Sequence, residues 1–137
     1  NIFIYFYNMK NKPSTQFVLS LDLFPYECLV SINKTPKEVQ AQLTKFGKPL
    51  SREMLDYITS KPANSAVYIF NPDSATSVIF INAPNIERSI SLFDHEKIHF
   101  LHHVFTKIGI TLTDSTEEVY AYSSEHLMKN FLSKIFG

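Results

Sequence analysis

The chain has 137 residues, with 13 basic and 13 acidic side chains and a formal net charge of zero. One domain with a core of useful size is expected at this length. The balanced charge argues against a nucleic-acid binder working through bulk electrostatics and against a polybasic membrane-surface module.

Residues Ile2 to Tyr7 are apolar but too short to span a membrane, and they lack the basic flank and cleavage site of a signal peptide. An N-terminal arm or strand over 1–15 and a soluble, cytoplasmic protein are the expectation. Phe17-Val18-Leu19 and Cys28-Leu29-Val30-Ser31-Ile32 read as short strands, with a turn around Phe24-Pro25. Cys28 is the only cysteine, which excludes an intrachain disulfide, and its apolar run makes it a small core residue. The Asn33-Lys34-Thr35 sequon carries weight only in a secreted chain.

Thr35-Pro36-Lys37-Glu38 carries a capping box, with proline at the first helical position. Val39, Leu43 and Phe46 follow at helical spacing until Gly47 and Pro49. Ser51 caps a second short helix with Met54, Leu55 and Ile58, stopped at Lys61-Pro62. Residues 66–70 and 77–81 are β-rich and joined by an Asn71-Pro72-Asp73-Ser74 turn, so a hairpin covered on both faces is expected.

The pattern turns helical from Ile86 to Lys107, with Gly109 suited to the C-terminal cap. Its expected apolar stripe is Ile90, Ile98, Leu101, Phe105 and Ile108. A last helix over about 115–134 carries Ala121, Met128, Phe131, Leu132 and Ile135. No internal repeat is visible. The fold class is therefore α+β, and one domain spans 1–137. Strands and short helices occupy 16–83, and a metal-binding helix pair 84–137.

All five histidines fall between His95 and His126, and His95-Glu96-Lys97-Ile98-His99 fits H-E-x-x-H. His95 and His99 are one helical turn apart, so both imidazoles can reach one Zn²⁺ ion. Glu96 lies on the adjoining side and can act as general base on a metal-bound water. A metzincin is excluded, because His102 and Phe105 stand where that class needs glycine and histidine. His102 lies too far along the helix to join both, and reads like His103 as a bystander. A third ligand must come from the last helix. Glu118 adjoins its apolar stripe, whereas Glu117 reads as solvated. His99 is about 15 Å from its helix end, so Glu118 comes level only if Ile110–Thr113 runs back extended. Glu125 is the alternative if the connection is tight. Tyr122, one turn after Glu118, could hold a metal water or an oxyanion.

The stretch His95 to His99, then Ile108-Gly109-Ile110, then Glu118-Val119-Tyr120-Ala121-Tyr122 resembles small phage and bacterial proteins similar to minimal gluzincin-type zinc peptidase domains. The Tyr68-Ile69-Phe70-Asn71-Pro72 to Val78-Ile79-Phe80 hairpin resembles theirs too, and the likeness is strongest over 65–135. The resemblance implies a zincin-like fold, a small sheet and hairpin packed on two long C-terminal helices, the first bearing HExxH. It makes Glu118 the third ligand and Glu96 the base. Asp94 before the first histidine and Phe100-Leu101 after the second depart from the family pattern.

The expectation is a zinc-dependent hydrolase, a metallopeptidase acting on a peptide or protein, with the 77–81 strand aligning the substrate. A non-catalytic zinc-binding or interaction protein of phage or mobile-element origin is the alternative.

Overall fold

A computed structural model describes residues 8–137. Of the expected arm or strand over 1–15, residues 1–7 lie outside them; residues 8–10 are helical rather than extended and lead through a polar connector into the first strand. The strands are β1 (Thr15–Ser20), β2 (Glu27–Ile32), β3 (Ser65–Asn71) and β4 (Thr76–Asn82). The helices are α1 (Pro36–Lys45), α2 (Arg52–Thr59), α3 (Ile86–Lys107) and α4 (Glu117–Phe136). The class is α+β, as expected.

The local signals act where the sequence places them. In the capping box, Glu38 N–H donates to Thr35 Oγ1 at 3.1 Å and Thr35 N–H to Glu38 Oε1 at 3.1 Å. Gly47 (φ 69°) and Gly109 (φ 78°) end α1 and α3 in the left-handed region. After each, an amide reaches back, Lys48 N–H to Leu43 O at 2.9 Å and Ile110 N–H to Phe105 O at 2.8 Å. Ser51 caps α2 through Met54 N–H, and Asn85 caps α3 through Arg88 N–H.

The sheet order is β1-β2-β4-β3. Each hairpin is antiparallel, but β2 and β4 pair in parallel, from Cys28↔Ser77 to Ile32↔Ile81. The 77–81 strand is therefore central, hydrogen-bonded on both sides. This corrects the expectation that it aligns a peptide, since its backbone has no free edge. β4 is buried from Thr76 to Ile81 and β2 from Cys28 to Ile32, as strands covered on both faces must be.

Alternation along these strands divides the core in two. Val30, Ile32, Ile79 and Ile81 pack with Phe93, Phe100, Phe105 and Phe131 of α3 and α4. Leu29, Val78 and Phe80 pack with Val39 and Leu43 of α1 and Ile58 of α2. The element order ββαα thus occurs twice, each helix pair covering one face. The two halves differ in helix length, with 10 and 8 residues in the first pair and 22 and 20 in the second. The repeat is one of topology, invisible as sequence similarity.

Asn33 joins the halves. Held at φ 55°, it donates from its backbone N–H to Ile81 O at 2.8 Å. Its Nδ2 donates to Pro13 O and Ala83 O, and its Oδ1 accepts from Ala83 N–H. This side chain is committed to the fold and leaves no place for a glycan.

Candidate functional site: the outer face of α3 and a cleft between the hairpins

The buried arc of α3 comprises Ile86, Ser89, Phe93, Glu96, Lys97, Phe100, Leu101, Val104 and Phe105. It is rotated about 80° from the stripe expected from Ile90, Ile98 and Ile108. The helix offers two overlapping apolar arcs, and the one carrying the phenylalanines meets the sheet and α4. Phe93 stacks on Phe131 with centroids 4.0 Å apart and planes 9° apart, an arrangement worth about 0.5–1.5 kcal/mol beyond burial. Ile98 is left 53% exposed.

This rotation decides the fate of the HExxH residues. His95 and His99 face solvent, their rings 5.2 Å apart, while Glu96 is only 7% exposed. The Lys97 ammonium is buried as well and ion-pairs with Asp94. An ion held by both histidines would sit in open solvent, with Glu96 about 60–100° round the helix and turned toward the core.

The third ligand fails on level and on face. Phe105 packs on Tyr120, and Phe93 on Phe131, which fixes the antiparallel stagger of α3 against α4. His99 is therefore level with residues 125–126 of α4, and Glu118 lies about two turns below. Glu118 is exposed. Glu125, at the right level, is exposed and paired with Lys129 at 3.1 Å. The α4 stripe is also rotated: Ser123, Leu127 and Phe131 are buried and Ala121 is exposed. Tyr122 donates its hydroxyl to Asp22 Oδ2 at 2.6 Å, on the β1–β2 turn. That carboxylate raises the Tyr122 pKa above the usual phenol value.

Among the described residues no group of three or more His, Cys, Asp or Glu side chains could hold a metal ion. This corrects the expectation of a zinc-dependent hydrolase or a zinc-binding protein. Spacing brought two histidines together, but the described residues supply them no third donor.

Histidine, lysine and aromatic groups do converge elsewhere. Because β2 and β4 are parallel and each closes a hairpin, both hairpin tips lie at the same end of the sheet. Helices α1 and α3 start from the opposite end and return to it. Between the tips is a cleft of about 500 Å³, within the range of small-molecule sites. Pro25, Tyr26 and Glu27 come from the first hairpin; Phe70, Thr76 and Ser77 from the second. Phe46 and Lys48 follow α1, and His103 and Lys107 end α3.

The His103 ring packs on Phe70 at 4.0 Å between centroids, and Lys107 Nζ sits 4.6 Å from the same Phe70 centroid. His103 Nε2 is shielded from solvent and has no hydrogen-bond partner among the described residues. Desolvation lowers the His103 pKa below the ordinary histidine value, and the nearby charges of Lys107 and His102 add to this. Beneath, Tyr68 and Ser77 share a 2.9 Å hydrogen bond, and burial pushes the Tyr68 phenol up to about 12.

Sequence reasoning passed over His103 as a bystander. The wheel could have hinted otherwise, since His103 lies about 20° from the buried Glu96 and about 60° from the buried Phe100, but only the strand order brings the two hairpin tips together. Of the other groups, Cys28 is 1% exposed and its thiol pKa is raised by desolvation, so it is a core residue. No described helix is long and apolar enough to cross a membrane. Comparison of the chain with protein-family models, curated proteins and solved structures finds no match.

Proposed function

We propose that this domain is a small-molecule-binding module whose site is the cleft between the two hairpin tips. The observation that carries the reading is the convergence there of an aromatic wall with a shielded, unpartnered histidine nitrogen. A buried nitrogen without a partner costs free energy of the order of 1–3 kcal/mol. A ligand recovers it only where the imidazole turns or its cover shifts, because an atom shielded from water is equally shielded from a bound group. Tyr26, Phe46 and Phe70 offer apolar surface to a ligand body, while Ser77 and Thr76 supply hydroxyls. An apolar wall with a few convergent polar groups, one with a shifted pKa, is how ligand sites differ from packing defects.

The test is fluorescence titration with Nile red, a neutral apolar dye, on the full chain and on Phe70→Ala and Phe46→Ala. The expected result is saturable binding that each substitution weakens, with chemical-shift changes confined to the cleft residues. Binding unaffected by both substitutions sinks the proposal.

A further inference from the structure

The cleft wall carries two ammonium groups, Lys48 and Lys107, against one carboxylate, Glu27. Neither lysine has an ion-pair partner among the described residues, as is true of most basic side chains here, so both ammonium groups are open to an anion. Lys107 instead lies over Phe70, which fixes it at the rim, and Glu27 accepts a 3.4 Å hydrogen bond from Ser20 Oγ. The helix ends that approach from α1 and α3 have carbonyls already met by the amides of Gly47, Lys48 and Ile110. The side chains close to His103 are Lys107 and His102 on its own helix and Phe70 and Tyr68 on β3; Lys48, Glu27 and Tyr26 line the same cleft.

From this arrangement we infer that the cleft takes an aromatic carboxylate, its ring against Phe70 and Phe46 and its carboxylate between Lys107, Lys48 and the His103 imidazole. The inference rests on the cleft being a binding site and adds the charge of the ligand. Two consequences follow from the chemistry. A carboxylate is preferred over its neutral amide, because charge-assisted hydrogen bonds are roughly twice as strong as neutral ones. Binding is also coupled to proton uptake: desolvation in the free chain favours the neutral His103 imidazole, and an adjacent anion favours the imidazolium. Affinity therefore rises as the pH falls through the histidine range.

The experiment is titration of the full chain with 2-naphthoate and with 2-naphthamide, followed by calorimetry and by side-chain ¹H–¹⁵N spectra of the histidines. The naphthoate Kd is expected to be about tenfold below that of the amide at pH 6. It should weaken several-fold by pH 8, while the amide stays constant. Lys107→Met and Lys48→Met should each weaken naphthoate alone, and His103→Gln should remove the pH dependence. Equal Kd values for acid and amide overturn the anion preference while leaving the cleft as a neutral site. A pH dependence that survives His103→Gln overturns the proton coupling. If neither compound binds and Nile red does not either, the cleft reading itself falls.

Discussion

Two groups of histidines stand one turn apart on α3. His95 and His99 have the spacing of a metal site, face solvent, and meet no third donor among the described residues. His103 has no motif around it, yet its ring is packed on Phe70 in the wall of a cleft and one of its nitrogens is without a partner. Helical spacing brings side chains together along one element, whereas a site needs groups from several. At the outer face only α3 contributes. At the cleft, two hairpins, the α1–α2 connection and α3 meet.

The comparison is broken most directly by mutating the two faces of α3. Phe105 is fully buried against Tyr120 and Phe24. Phe105→Ala should lower unfolding free energy by about 3–5 kcal/mol in urea denaturation. His99→Ala should stay within about 0.5 kcal/mol. A comparable loss at His99 would mean that the outer face is not a free surface.

Next in size is Asn33, which ties the other end of the sheet just beyond the β2–β4 ladder. Asn33→Ala removes three side-chain hydrogen bonds and leaves a residue at positive φ. It should cost about 1–3 kcal/mol by the same measurement. Nile red binding should weaken too, because the hairpin tips lose their common register.

A smaller effect separates the histidines by pH. His103 has a folded pKa lowered from the ordinary 6.5. Its neutral form is therefore the one favoured in the folded state. The associated stability is fully present above about pH 6.5 and is lost as the pH falls toward the folded value. His103→Phe should flatten this acid-side loss in thermal melts recorded from pH 7.5 to about pH 5. A variant as acid-sensitive as the parent would show that the His103 environment is already aqueous.

The smallest effect is expected at the motif itself. Adding Zn²⁺ should leave the melting temperature unchanged to within about 1 °C, and His95→Ala/His99→Ala should not alter that response. Stoichiometric zinc after dialysis, lost in the double variant, would reverse the distinction between the two faces.

Much of the fold was legible locally. The Thr35–Glu38 box, the Ser51 cap, the glycines at 47 and 109 and the hairpin turn at 71–74 all act within a few residues, so sequence suffices to place them. The site was hardly legible. On α3, Ile90, Ile98 and Ile108 compete with Phe93, Phe100 and Val104 for the core, and helical periodicity cannot rank two apolar arcs. A difference of about 80° in that choice separates histidines at the core edge from histidines in solvent, and Glu118 departs separately through the level and rotation of α4.

The sequence by itself determined the eight elements, their caps and the need to cover both faces of the central strands, because each depends on neighbouring residues or on simple alternation. Tertiary structure alone decided that β2 runs parallel to β4, which face of α3 is inside, and where side chains from distant segments converge. Those choices depend on long-range packing. The aromatic rings of α3 and α4 fit the sheet in one rotation, and parallel pairing of the hairpins sets their tips side by side at the cleft.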